Sequence, residues 1–145
     1  LADRPGVRFL SLFQWPLFPH RRMEPTPSNA VLSPLPAGAG GEDIRNVVEN
    51  VWLPEIDKFQ PDLMILSAGF DAHCEERIAQ LKAGEMDYAC VTRLLVEASF
   101  AYCEGRLVSV LEGGYELRSL ARSVFTHLQG LIRNPLPAET CKDPN

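Results

Sequence analysis

The chain has 145 residues, with 14 Lys and Arg against 19 Asp and Glu, a formal charge of −5, 46% hydrophobic and 23% charged residues. That mixture excludes wholesale disorder and fits one globular domain, or part of one. The negative charge argues against direct nucleic-acid binding, and no apolar run approaches the roughly 20 residues that a membrane-spanning helix needs.

The sequence opens on Leu1-Ala2-Asp3-Arg4-Pro5, without an initiator Met and without a secretory signal pattern, so the amino terminus is expected upstream. Cys74, Cys90, Cys103 and Cys141 form no C-x-x-C pair and read as reduced thiols of a cytoplasmic protein. Arg21-Arg22 is too short for a phosphate-tracking stripe and reads as a solvated loop.

In chain order, Val7 to Phe13 is a short, β-rich run that reads as a buried strand, stopped by Pro16 and Pro19. A polar loop, 20–28, leads to a second short strand at Asn29–Ser33. Pro34 to Gly41 reads as a turn region without regular structure. Ile44, Val47, Val48 and Val51 then recur at helical spacing, with Glu42 and Asp43 suited to the helix start and Pro54 expected to bend or interrupt it. Leu63-Met64-Ile65-Leu66 is a buried strand ending at Ser67-Ala68-Gly69, and a long connection runs from 70 to 86. Asp87 can cap a helix whose stripe is Val91, Leu94, Leu95, Ala98 and Tyr102, ended by Gly105. Arg106–Leu111 is a further strand. After Glu112-Gly113-Gly114-Tyr115 a last helix carries Leu117, Leu120, Val124, Leu128 and Leu131, closed by Pro135 before a loose tail, 135–145.

Alternating strands and helices predict an α/β domain, a parallel sheet covered by helices, spanning 1–134. In such sheets ligands sit beyond the carboxyl ends of the strands. Two of those ends are chemically unusual. Asp71, just after an apolar strand and Gly69, either binds a cation or bonds its own backbone in a turn. Tyr115, after two glycines, either donates a hydrogen bond to an oxygen gaining charge or packs at a helix start. Asp71-Ala72-His73 looks like a D-x-H metal pair, yet a zinc site needs at least three protein groups. His127 reads as structural on the buried side of the last helix, and His20 as solvated.

The run Pro61 to His73, with Ser67-Ala68-Gly69-Phe70-Asp71-Ala72-His73, resembles a signature segment of the histone deacetylase superfamily. Ser109-Val110-Leu111-Glu112-Gly113-Gly114-Tyr115 resembles a second. The glutamate of that second motif and Trp52-Leu53-Pro54 are most similar to bacterial class II-type members, a group overlapping with acetylpolyamine amidohydrolases. The resemblance runs from about Pro5 to Leu131. It implies the arginase/deacetylase fold, a three-layer parallel sheet with helices on both faces, here incomplete. It also implies a zinc-dependent amidohydrolase of acetylated lysine or polyamine. By motif, Asp71 matches a zinc ligand and Tyr115 the residue that stabilises the tetrahedral oxyanion. Gly113 and Gly114 match tunnel-lining glycines, Phe18 a tunnel-wall aromatic and Ile78 an apolar position on the tunnel rim. Ser11 and Leu12 match residues that help hold a structural potassium ion. His73 matches no zinc ligand.

The family's upstream Asp-x-His ligands and tandem His pair are absent from this sequence, which resembles the carboxy-terminal half of a deacetylase. One zinc ligand of three is present, and the chain alone is expected to be inactive. His20-Arg21-Arg22 stands where the family shows Gly-Thr-Gly, and Phe13 where it shows His after Ser-Leu; both alter the expected tunnel mouth. Half a parallel sheet leaves apolar surface exposed, so the isolated chain is expected to aggregate or be partly molten. The competing reading is a non-catalytic α/β module, derived from the same fold, that binds a ligand or a protein. Partners are then an acetylated substrate and, compatibly, further subunits, with no membrane and no nucleic acid.

Overall fold

The computed structural model describes residues 3–17 and 26–132. Strands β1 (Phe9–Gln14) and β2 (Ala30–Leu35) precede α1 (Gly41–Val47), a π-helical turn (Val48–Trp52) and α2 (Leu53–Phe59). There follow β3 (Met64–Ala68), α3 (Glu85–Cys103), β4 (Leu107–Leu111) and α4 (Leu117–Ile132). β1 pairs with β2, and β3 with β4, both parallel, as the alternation of strands and helices predicts. Among the described residues these are two separate two-stranded sheets.

Helix α3 joins them. Its Val91 packs against two buried clusters, one with Leu35 and Ile44, which Leu12 also covers, and one with Val48 and Leu95, which Leu10, Met64, Leu66 and Leu107 also cover. Leu10 and Leu12 are two apart on β1, and Met64 and Leu66 two apart on β3, so each strand turns one face toward the helices. The opposite face of the β3–β4 pair is open, with Ile65 68% exposed. The parallel α/β class is therefore present and incomplete.

Pro54, expected to bend or interrupt its helix, follows a break in the α-helical pattern, the π-helical turn that separates α1 from α2. It lacks the N–H that would bond back to residue 50, and the backbone widens into the π-helical turn just before it, where the Leu53 N–H reaches the Val48 carbonyl. Strand β2 runs through Pro34 to Leu35, where a turn region was expected. Pro34 lies opposite Phe13 on an edge strand, where a missing donor is tolerated. Helix α3 starts two residues before Asp87, whose carboxylate caps from within the first turn by accepting from the Gly84 N–H (2.8 Å).

Helix α4 is the larger correction. Of its expected apolar stripe Leu120, Val124 and Leu131 are only half-buried, Leu117 is 76% exposed and Leu128 is exposed too. The buried face is Ser119, Ser123, His127 and Gly130, set against α3. Small side chains bring the helices together; a Cβ on Gly130 would stand 2.9 Å from the Thr92 methyl. Cys74 and Cys103 are free thiols, but Cys90 is disulfide-bonded, so the expectation of reduced thiols fails there. Phe18, His20, Arg21, Arg22, Cys141 and the tail 135–145 lie outside the described residues.

Candidate active site

The register of β3 against β4 sets Ala68 opposite Leu111, so both strands finish side by side and release their loops at one edge. The two loops are then laced together. The Phe70 N–H donates to the Gly113 carbonyl (2.8 Å) and the Glu112 N–H to the Ala68 carbonyl (3.1 Å). Phe70 is buried and anchors its loop, its ring 5.0 Å from Tyr88 and 5.6 Å from His127, centroid to centroid. The Tyr88 hydroxyl donates to the Phe70 carbonyl (3.0 Å). Burial, with Asp71 and Asp87 nearby, pushes the Tyr88 phenol far above its ordinary range, so it stays a donor.

Asp71 follows Phe70. Its half-buried carboxylate lies against Gly69 and Gly113, where added Cβ atoms would stand 3.2 and 2.9 Å away. Burial raises its pKa, its own backbone N–H lowers it, and Glu76 raises it further. Among the described residues it has no cationic partner. A desolvated carboxylate without a compensating charge suits a cation. It supplies one ligand: among the described residues no three His, Cys, Asp or Glu side chains gather into a group that could hold a metal.

Gly114 turns the second loop at φ +126°, a conformation that side chains rarely adopt. Tyr115 follows, 60% exposed, and its hydroxyl has no hydrogen-bond partner among the described residues. Its backbone is held by Glu76. One carboxylate oxygen of Glu76 accepts from the N–H groups of Tyr115 (2.8 Å) and Glu116 (3.2 Å). The other accepts from Arg77 (2.8 Å) and Ile78 (3.4 Å). Burial alone would raise the Glu76 pKa, but these four donors bring it below the ordinary value.

His73 does not join Asp71 as a ligand pair. It is buried against Tyr88, its Nδ1 accepts from the Glu75 N–H (3.1 Å), and its Nε2 lies 3.4 Å from Glu85. Arg122 bonds Glu85 and also Glu75 (2.6 Å). That guanidinium, against some burial and aided by the Glu85 backbone and His73, holds the Glu85 carboxyl down at about 2. Ile78 is exposed on the loop that Glu76 pins. Ser11 and Leu12 sit midway along β1, in the sheet that does not carry Asp71 and Tyr115, opposite Leu32 and Ser33. The Leu12 side chain is committed to the core.

The match to known proteins covers this whole arrangement. A family model described as "Histone deacetylase domain" matches residues 1–131. The chain belongs to the histone deacetylase family. A relative from Oryza sativa, "Histone deacetylase 10, chloroplastic", is 32% identical over 98% of the chain and 33% of its own length. "Probable deacetylase" from Archaeoglobus fulgidus is 34% identical over 77% of the chain and 33% of its own length. Human "Polyamine deacetylase HDAC10" is 37% identical over 69% of the chain and 14% of its own length. Among solved structures, the HDA15 HD domain is similar with a TM-score of 0.82 at 27% identity, covering 93% of the chain and 40% of that structure. The histone deacetylase Clr3 is similar with a TM-score of 0.82 at 29% identity, covering 92% and 24%. The fold is therefore that of the arginase/deacetylase domains, and this histone deacetylase chain spans a third or less of the length of the three relatives named.

Glu76 is the residue that sequence reasoning passed over. Its partners lie 39 and 40 positions downstream, and an acidic residue in a polar loop carries no local sign of that link.

Proposed function

We propose that the chain forms part of a zinc-dependent deacetylase acting on the linear amide of an acetylated lysine or polyamine. One observation carries the reading: an uncompensated, half-buried Asp71 carboxylate and an unpartnered Tyr115 phenol sit on two loops that the parallel register laces together. Asp71 is the metal ligand in this reading, completed by ligands that the described residues do not supply. Bound zinc would activate water and polarise the amide carbonyl. Tyr115 donates its phenolic hydrogen to the oxygen on which negative charge develops as the carbonyl carbon is attacked. Gly113 and Gly114 leave room beside that carbonyl for the substrate chain, and Ile78, with Phe18, contacts its methylenes. Ser11 and Leu12 remain the candidates for a potassium site, Leu12 through its backbone only.

The test uses the protein at its natural length, zinc-loaded, with an acetyl-lysine peptide and N-acetylspermidine as probes and acetate release as the readout. Turnover of at least one probe is expected. Tyr115→Phe should lower kcat about 10²–10³-fold while KM changes little. Asp71→Asn should lose zinc on dialysis. Acetate release from neither probe, or full activity in Tyr115→Phe, overturns the reading.

A further inference from the structure

We propose that Glu76 is a positioning residue that sets the Tyr115 phenol relative to the loop carrying Asp71 and Ile78; the proposal rests on the deacetylase reading above. Glu76 lies five residues after Asp71, in a segment without regular structure. One of its oxygens holds Tyr115 and Glu116, immediately before α4, and the other holds Arg77 and Ile78 in its own loop. A single carboxylate therefore clamps the phenol-bearing loop to the segment downstream of the carboxylate ligand, in addition to the Phe70–Gly113 bond.

The chemistry needs such a clamp. Tyr115 is exposed, and no side-chain hydrogen bond among the described residues fixes where its hydroxyl lies. Its position follows from its backbone, which Gly114 leaves free to rotate at positive φ. Oxyanion stabilisation depends steeply on the placement of the donor, and a misplacement of about 1 Å can cost about 10²-fold in rate. Charged acceptors bond N–H groups about twice as strongly as neutral ones. The carboxylate thus supplies rigidity that the glycines remove. Because the same group holds the Ile78 N–H, it also ties the phenol to the candidate tunnel rim.

Glu76→Gln keeps the size of the side chain but replaces one acceptor oxygen with a donor that faces N–H groups. In the zinc-loaded protein at its natural length, Glu76→Gln should lower kcat on the acetyl-lysine peptide about 10–100-fold with KM nearly unchanged. The double variant Glu76→Gln/Tyr115→Phe should be no slower than Tyr115→Phe alone, since Glu76 acts through the phenol. A wild-type rate in Glu76→Gln, or multiplying effects in the double variant, overturns the proposal.

Hydrogen exchange separates this claim from the deacetylase reading. The Tyr115 and Glu116 amides should be protected in the unmutated protein and exchange at least about 10-fold faster in Glu76→Gln, with α3 and α4 unchanged. If no probe is turned over, the deacetylase reading fails while protection of those amides still upholds the clamp. If Glu76→Gln does not fold, the unmutated protein decides: exchange of both amides at the rate of an open chain overturns the proposal.

Discussion

The Asp71 carboxylate rests against Gly113 so closely that a Cβ there would stand 2.9 Å from its Cγ. The neighbouring glycine is constrained differently. A Cβ on Gly114 would meet Leu120 at 2.7 Å and Phe70 at 3.2 Å, on a backbone already at φ +126°. One glycine is thus required by a functional side chain and the other by the course of the chain.

The two alanine substitutions should therefore separate. At Gly113 the obstacle is the far end of a flexible Asp71 side chain, which can swing aside. Gly113→Ala should cost less than about 1 kcal/mol but displace the carboxylate, so zinc affinity and acetate release should fall at least about 10-fold. Gly114→Ala combines a forbidden φ with a collision in the α4 anchor and should cost about 1–3 kcal/mol. Denaturant midpoints and metal titrations of both variants check the order; equal stability losses would show that the two glycines are not constrained as described.

Asp71 should be a residue that function keeps at the expense of stability. Its folded-state pKa is raised above 3.8, chiefly by burial, so the folded state holds the proton more tightly than the unfolded chain. Stability then falls as pH rises from 3.8 through the folded value, and the penalty persists at neutral pH. In the metal-free protein at pH 7, Asp71→Asn should raise stability by about 0.5–2 kcal/mol while abolishing the proposed activity. A denaturation midpoint that falls on this substitution contradicts the account.

His127 titrates in the opposite sense. Its Nδ1 lies 2.7 Å from Thr92 Oγ1, whose own proton goes to the Tyr88 carbonyl at 2.6 Å. Nδ1 must therefore carry the hydrogen, and Nε2 accepts from Ser109 at 2.8 Å. The neutral ring is fully matched, and burial lowers its pKa below 6.5. The unfolded chain binds the proton more readily, so this contribution is complete above pH 6.5 and is lost as pH falls toward the folded value. The slope reaches at most about 1.4 kcal/mol per pH unit. Carboxylates with lowered values, Glu76 and Glu85, act only below about 4.5, so the windows do not overlap. Between pH 7.5 and 5 the midpoint should fall with pH in the unmutated protein relative to His127→Gln, whose remaining slope, from Asp71, has the opposite sign. A parallel decline in both would assign the slope elsewhere.

The strands and most helix limits were legible because they rest on short-range pattern: two-residue alternation, 3.6-residue spacing, glycine after a helix. Asp71, Gly113, Gly114 and Tyr115 were legible as unusual residues at strand ends, and their family role came from motif. What could not be read depended on distant partners. The fully buried face of α4 is Ser119, Ser123, His127 and Gly130 rather than its leucines, because small residues such as Gly130 let the helices approach closely. Pro54 marked the break between α1 and α2, but the π-helical form of that break leaves no mark of its own. Glu76 was invisible because its role is defined by Tyr115 and Glu116, on another loop.

The open face of the β3–β4 pair makes a final prediction about the 145-residue polypeptide expressed alone. Ile65, Val108 and Val110 alternate with covered residues, so their side chains form one apolar surface, continued by Leu63 at its end. Leu117, Phe125, Leu128 and Ile132 of α4 add further uncovered apolar area. Surfaces of this kind associate, and two-stranded sheets gain little stability by themselves. Sedimentation velocity should show concentration-dependent self-association, with dye binding typical of exposed apolar surface. Ile65→Thr/Val110→Thr keeps β-branched side chains on the same face while removing apolar area, so it should reduce association without disturbing the pairing of Ile65 with Val108 or Ser67 with Val110. A monodisperse monomer with sharp, dispersed amide signals would show instead that this face is stable in water, and that the covering implied by longer relatives is not needed for folding.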